Sequence, residues 1–506
     1  MPTVKRQKRG RQDIEFPLRR IFGKQTFRPL QREVITTALE GEDVFLQAAT
    51  SFGKSLCFQL PAVVDHGRAQ ELTCLVTIVI SPLLALMNNQ VVALRAANIK
   101  VATINSTTPK AEKDAVMEDL QCGHPLTRLL YITPEYCQLD HFKRILRVIH
   151  SHRELARIAV DEAHCISEWG HDFRPAFKRL SFFKQEFPDV PVMCLTATAT
   201  AKVRNDIIST LALDPKKLKL FTMTTSRPNL HYEIRFKSDE EDHYDNFVGW
   251  LRAAQDRRSG DAERVASLKA AGKRPDAISG IIYTLYRRDC EALAARLRAS
   301  NLGARAYHAG LANTEKDEVL ANWVANVPGY EIVVATTAFG MGIDKEDVRF
   351  VVHWQLPKSF EGLYQEAGRA GRDGKAAVHI MYYSREDRDR ALNHMARDIA
   401  RVSNGAGYPV EAYGGGTRAS EEKMQTHKNR VDSLQRLVEY CENVTTCRHK
   451  LIANYFGEEA EVPCEWACDW HKDPAKLKRA KELGLASEEW CSTQREAGHF
   501  DIDPYE

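Results

Sequence analysis

Between Asp43 and Thr198 short β-rich apolar runs alternate with longer helical stretches. The runs read "DVFLQA", "TCLVTIVIS", "KVATIN", "RLLYIT", "ARIAVDE" and "VPVMCLTA". A second series, "SGIIYTLY", "ARAYHAG", "EIVVATT", "RFVVHW" and "AAVHIMYY", runs from Ser279 to Tyr383, with helices such as "RDCEALAARLRAS" between the strands. Strands spaced by helices predict right-handed βαβ units and parallel sheets. The pattern therefore predicts two consecutive α/β domains, with ligands in the crevice beyond the C-terminal strand ends. The charged segment 237–275, with a helical centre "YDNFVGWLRAAQ", reads as an insertion or linker, and the Gly-rich stretch 403–422 as a flexible connection.

The expected boundaries are a basic tail over 1–15, a first domain over 16–225 and a second over 226–402. The connection 403–422 follows, then a small helical module over 423–474 and a polar tail over 475–506. A chain of 506 residues is too long for one core, which agrees with this division. No apolar run approaches the roughly 20 residues that cross a bilayer, and no apolar signal segment follows the charged N-terminus, so a membrane protein or a secreted one is not expected. Most of the 12 cysteines are single and sit in apolar stretches, as reduced core thiols do. The net charge of +3 is nearly balanced and argues for no partner by itself. The local block "KRQKRGR", Lys5 to Arg11, reads equally as a nuclear address, a phosphate-binding arm or a solvated tail.

Chemistry enters at "VFLQAATSFGKSLCFQLPAVV", a strand, a tight loop and a helix starting near Lys54. Loop N–H groups and the helix N-terminus bind phosphate oxygens, Lys54 reaches the β/γ-phosphates, and Ser55 offers its hydroxyl to Mg2+. The strict pattern would have Gly where Ala48 stands, but Gly-Lys-Ser is intact. "VDEAH" ends another strand. There Asp161 can hold Mg2+ and Glu162 can polarise an attacking water, whereas an Asp-Glu pair alone could equally be a helix N-cap. "YQEAGRAGRDG" in the second domain offers Arg369 and Arg372, either of which could neutralise a γ-phosphate transition state from across the crevice.

Taken together, "FGKQTFRPLQ", "AATSFGKS", "SPLLALMNNQ", "VDEAH", "LTATA", "YHAGL", "ATTAFGMGIDKEDVR" and "YQEAGRAGRDG" resemble the RecQ family of DNA helicases over residues 16 to 471. The resemblance implies two tandem RecA-like parallel-sheet domains followed by a small helical zinc-binding subdomain. It also implies an ATP-dependent, DEAH-box, 3′-to-5′ DNA helicase acting on single-stranded and forked DNA in repair and recombination in the nucleus, with ATP, Mg2+ and Zn2+ as cofactors. Carried over by position, Arg28 and Gln31 would meet adenine. Thr50, Ser51, Gly53, Lys54 and Ser55 would line the nucleotide, and Gly342 and Asp344 would line it or help transmit its state to DNA. Thr196 and Thr198 would link its site to strand contacts. The stretch "CISEWGHDFRP" resembles the family's aromatic loop that senses single-stranded DNA, with Trp169 and Phe173 stacking on bases and His171 and Arg174 meeting the backbone.

Three departures stand out. Lys24 occupies a position where the family has an aromatic ring, and Ser51 and Phe52 stand where glycines are frequent, so Phe52 is expected to point outward. Cys447, Cys464, Cys468 and His471, in a C-x16-C-x3-C-x2-H order, resemble the family's zinc-binding module with His in place of the last Cys, and Cys441 or His449 are alternatives to His471. Only 35 residues follow His471, too few for a winged-helix domain or the family's further helical domain, so a short form is expected. A translocase with weak strand separation and an inactive nucleic-acid scaffold remain as other readings. Trp169→Ala is expected to keep basal ATP hydrolysis and weaken its stimulation by single-stranded DNA; unchanged stimulation in an ATPase assay removes the loop's coupling role.

Overall fold

The computed structural model describes residues 13–49, 52–64, 75–167, 174–237, 242–270, 272, 274–337, 339–340, 345–403, 418–458, 464 and 468–486. Thirteen strands occur among them. Seven form the first sheet: β1 (Val44–Gln47), β2 (Val76–Ile80), β3 (Val101–Ile104), β4 (Leu129–Ile132), β5 (Leu155–Asp161), β6 (Val192–Thr196) and β7 (Lys219–Thr222). Six form the second: β8 (Leu230–Phe236), β9 (Gly280–Tyr283), β10 (Ala304–Tyr307), β11 (Ile332–Ala335), β12 (Phe350–His353) and β13 (Ala377–Tyr383). The orders are β3-β4-β2-β5-β6-β1-β7 and β10-β11-β9-β12-β13-β8, and all the pairings are parallel.

Parallel strands are covered on both faces by their crossover helices, so they read as continuous apolar runs. Along β5, Ile158 and Val160 pack into one face of the first core and Ala159 into the other. Along β9, Ile281 and Tyr283 alternate with Ile282 in the same way. Burying such side chains stabilises by roughly 1.5 to 3 kcal/mol each, which is what holds the short strands in register.

The structure departs from the sequence expectations at four places. β7 and β8 add parallel edge strands that the hydrophobic pattern did not single out. The segment 237–275 follows β8, already in the second sheet, and so does not bridge the sheets. Its helix Tyr244–Ser259 buries Tyr244, Phe247, Val248 and Leu251 in the second core. Of the connection 403–422, residues 404–417 lie outside the described set, and Arg418 already begins the helix Arg418–Glu442. The stretch after 474 opens with a helix, Pro474–Ala486, whose Leu477 and Leu485 are buried, and Gly484 lies so close to β8 that a Cβ there would meet Phe236 Cβ at 2.6 Å.

The helical segment beyond Arg418 shares its core with the second sheet: Leu434, Leu437, Tyr440, Ile452 and Phe456 pack with Tyr232, Phe360 and Tyr364. A fully buried ion pair fixes this docking. Arg448 Nε donates to Asp469 Oδ1 at 2.8 Å, and the backbone N–H of Ile234 in β8 donates to Asp469 Oδ2 at 3.0 Å. Removing one partner of such a pair strands the other charge away from water. Asp469→Ala is therefore expected to lower unfolding stability by about 3 to 5 kcal/mol; a loss under about 1 kcal/mol by urea titration would contradict this.

Candidate active site

Three adjacent strands deliver the chemistry. β1 pairs with β6 and β6 with β5, in a register that sets Gln47 beside Thr196 and Asp161 beside Leu195. The phosphate loop, the "LTATA" stretch and the paired carboxylates thus leave one sheet edge at one level. Gln47 Nε2 ties the first two together by donating to Ala199 O at 2.7 Å.

Within the loop, Thr50 and Ser51 lie outside the described residues. Gly53 takes φ +80°, and Ser55 leads into the helix Leu56–Val64. Phe52 does not point outward as expected: it is 5% exposed and packs in the first core, because the positive φ falls on Gly53 and the ring is free to turn inward. Gln31 is buried. Its Nε2 donates to Phe52 O at 2.8 Å, and its Oε1 accepts from Arg28 N at 2.9 Å. The amide expected at adenine thus also braces the phosphate loop, while Arg28 and Lys24 are exposed.

Lys54 is buried and its Nζ donates to Ala48 O at 3.1 Å. Burial lowers its pKa, the carboxylates of Glu162 and Asp161 pull it back up, and Arg372 adds to the lowering. Burial also raises the Asp161 pKa, against the pull of Lys54 and hydrogen bonds from Glu162 N and Gln90. Desolvation outweighs mutual attraction on both sides of the pair. A bound phosphate and a divalent cation are the species that would relieve both charges.

Glu162 stands at φ 51°, ψ 47°, and Leu30, just before Gln31, at φ 64°. Among the described residues the other five non-glycine residues with positive φ, such as Asn98 and Asn301, each follow a helix C-cap, where that conformation is routine. Leu30 and Glu162 instead precede helical turns at the cleft, so the strain sits at the candidate site. Glu162 Oε2 lies 3.3 Å from His164 Nδ1, which lies 3.0 Å from Thr196 Oγ1, and Thr198 N donates to that hydroxyl at 3.1 Å. Thr196 and Thr198 are buried, which suits a linking role and not direct contact with a strand.

Across the cleft, Arg372 is half-buried and lines an open cavity of about 370 Å3 together with Arg28, Ala49 and Phe52. Arg369 is buried in the second lobe, where its guanidinium comes within 3.2 Å of where a Cβ on Gly340 would stand. The structure thus brings Arg372, not Arg369, to the wall facing Lys54. Trp169, His171, Phe173, Gly342 and Asp344 lie outside the described residues. Arg174, which closes the aromatic stretch, donates to Pro82 O at 2.9 Å and so is held against the "SPLLALMNNQ" segment.

Several residues escaped the sequence reading. His164 lies inside a quoted motif but was given no task. Gln59, Gln90 and Tyr131 form a closed set: Tyr131 OH donates to Gln90 Oε1 at 2.8 Å, Gln59 Nε2 donates to Tyr131 OH at 3.0 Å, and Gln90 Nε2 reaches Asp161 Oδ2 at 3.4 Å. The signals that could have found them are positional: His164 ends "VDEAH", Gln90 ends "SPLLALMNNQ" and Gln59 follows the phosphate loop.

The ligand atoms of Cys447, Cys464, Cys468 and His471 lie within 4.8 Å of one another. Cys468 Sγ is 3.9 Å from Cys447 Sγ and 3.5 Å from His471 Nδ1. A tetrahedron with metal–sulfur bonds of about 2.3 Å has sulfur–sulfur edges of about 3.8 Å, so the set fits zinc. Cys441 lies away from it in the apolar core, and burial pushes its thiol pKa far up. His449 is buried beside the cluster, in the helix Arg448–Tyr455 that Cys447 caps; its Nε2 lies 3.2 Å from Arg227 O and its Nδ1 makes no hydrogen bond among the described residues.

Fold and site together define a two-domain helicase core with an appended metal centre. Residues 28–207 match the family described as DEAD/DEAH box helicase, 266–374 the helicase conserved C-terminal domain and 397–472 the RecQ zinc-binding family. "ATP-dependent DNA helicase Q5" of Rattus norvegicus is 37% identical over 503 residues, which is 97% of this chain and 47% of that protein. "RecQ-like DNA helicase BLM" of Xenopus laevis is 39% identical over 440 residues, 86% of this chain and 28% of that protein. The solved structure of S. cerevisiae Dbp5 bound to RNA and ADP BeF3 shares the fold, with a TM-score of 0.53 at 13% identity over 93% of this chain and 98% of that one. The chain belongs to the RecQ family of helicases. It spans about half the length, or less, of these curated relatives.

Metal analysis is expected to find about one zinc per chain. Cys441→Ser should retain it and His471→Ala should bind it at least about 10- to 100-fold more weakly, the loss that even an outer-shell change causes; undiminished zinc affinity in His471→Ala would remove that ligand.

Proposed function

We propose that the protein is an ATP-dependent DNA helicase that couples hydrolysis to 3′-to-5′ movement along single-stranded DNA and to duplex separation, with forks among its substrates. Its setting would be DNA repair and recombination in the nucleus. The observation that carries this reading is the cleft itself: Lys54, Asp161 and Glu162 on one wall and Arg372 on the other.

In this reading Lys54 leaves the Ala48 carbonyl to hold the β- and γ-phosphates. Asp161 and Ser55 would hold Mg2+, which would supply charge neutralisation at the phosphates, and Gln90 orients the Asp161 carboxylate. Glu162 orients the attacking water and takes its proton, while Arg372 neutralises charge growing on the γ-phosphoryl oxygens. Gln31 and Arg28 select the base. Thr196 and His164 would carry the state of Glu162 toward the DNA-contacting loop, where Trp169 and Phe173 stack on bases and Arg174 and His171 meet phosphates. Gly342 and Asp344 would serve the same coupling from the second lobe, and Arg369 would support Arg372 from within it. Among the described residues no helix is long and apolar enough to cross a membrane.

Lys54→Ala is expected to abolish ATP turnover stimulated by single-stranded DNA. Arg372→Ala should lower kcat by at least about 100-fold while still binding ATP. Normal turnover in either variant, or stimulation by RNA alone, would overturn the reading; a fork-unwinding assay then separates strand separation from movement alone.

A further inference from the structure

The two sheets are joined by residues 223–229, between the end of β7 and the start of β8. This connection is held at every step. Met223 N donates to Gln47 O at 2.9 Å, at the end of the strand that feeds the phosphate loop. Thr224 Oγ1 donates to Glu458 Oε2 at 2.8 Å, and Thr225 N donates to the same carboxylate. Tyr364 OH donates to Thr225 O at 2.9 Å, and His449 Nε2 sits 3.2 Å from Arg227 O.

The Arg227 side chain is the centre of this arrangement. It is 6% exposed, and its guanidinium donates to Gly368 O at 3.0 Å, Ala370 O at 2.9 Å and Gly371 O at 2.9 Å. Asn229 Nδ2 adds bonds to Gly371 O at 2.9 Å and Lys375 O at 2.8 Å. Gly371 stands at φ +62°, and a Cβ there would meet Asn229 Nδ2 at 2.6 Å, so the turn is shaped to this contact. Those carbonyls belong to the turn that ends in Arg372. A planar, permanently charged fork can satisfy three convergent carbonyls; an ammonium on a flexible stem holds them less rigidly.

We propose that Arg227 is the positioning residue for Arg372, and that Glu458 and His449, from the zinc-bearing segment, hold the connection so that folding of that segment is needed for the arginine turn to face the nucleotide. This rests on the proposed ATP-driven reading only for its kinetic consequence; the clamp is a statement about geometry. It gives the metal centre a task beyond its own stability, because Cys447 caps the helix Arg448–Tyr455 whose His449 reaches the connection.

The test is Arg227→Lys in the full chain, compared with Glu458→Gln, Arg372→Ala and the double variant Arg227→Lys/Arg372→Ala. With saturating single-stranded DNA, Arg227→Lys is expected to lower kcat about 10- to 100-fold, since small misplacements of a catalytic group cost that much. KM for ATP should stay within about twofold, and zinc content should be unchanged. Glu458→Gln, isosteric and only part-buried, should give a smaller fall in the same direction and decides the matter if Arg227→Lys does not fold. The double variant should be no slower than Arg372→Ala alone, because residues acting through one another are not additive. Backbone amides of 368–374 should exchange faster in Arg227→Lys. Wild-type kcat together with unchanged exchange would overturn the proposal, as would a double variant slowed by the product of the single effects. A wild-type protein without DNA-stimulated turnover, but with exchange altered as expected, would sink the functional reading and leave the clamp.

Discussion

The central constraint is a pair of opposite charges held out of water at the ends of parallel strands. Lys54 and Asp161 are both almost fully buried, and for both burial disfavours the charged form more than the other's presence favours it. Such an arrangement persists only because the surrounding sheet determines it, and it is relieved by ligands that bring negative phosphate to one group and a cation to the other. The strand order explains how it is reached. β6 lies between β1 and β5, so the loop and the carboxylates are separated by one strand whose own end, Thr196, hydrogen-bonds His164 between them.

From that constraint the coupling follows by contact. Glu162 sits in a left-handed conformation that few non-glycine residues take, and it leads directly into the turn that precedes the aromatic stretch. Its neighbours are shared with other motifs: His164 with Thr196, Asp161 with Gln90, and Arg174 with Pro82. A ligand that moves one of these segments therefore meets a partner with discrete hydrogen bonds to break or keep. On the opposite wall Arg372 hangs from a turn that the connection between the sheets grips, so the two sides of the cleft are joined through residues 223–229 as well as facing each other.

Most of the eleven strands legible in the sequence are buried on both faces, because continuous apolar runs are their requirement; the edge strands β3 and β10 were legible from their place in the alternation of strands and helices. β7 escaped notice because it is an edge strand with exposed Lys219, Leu220 and Thr222. β8 alternates buried and half-buried residues along "LHYEIRF", a period-2 signal hidden by its charged members. The helix Pro474–Ala486 looked like polar tail because only a thin stripe, Leu477 and Leu485, meets the core. At the site, residues tied to local motifs were legible, since a loop and a strand end are set by neighbours in the chain. Distant partners were not: Arg227 meets Gly368 across 141 positions, and Phe52 turned inward because the neighbouring Gly53 absorbed the strain. Arg369 and Arg372 are alike in sequence and separate only by burial.

The most direct measurement is a structure of the protein with Mg2+, ADP and beryllium fluoride. The expected result has Lys54 Nζ released from Ala48 onto the phosphates, with the Arg372 guanidinium about 3 Å from the fluoride on the opposite side and Glu162 facing the same group. A nucleotide bound with Arg372 turned to solvent, or with Glu162 unable to face the fluoride, would contradict the shared cleft on which the motor reading stands.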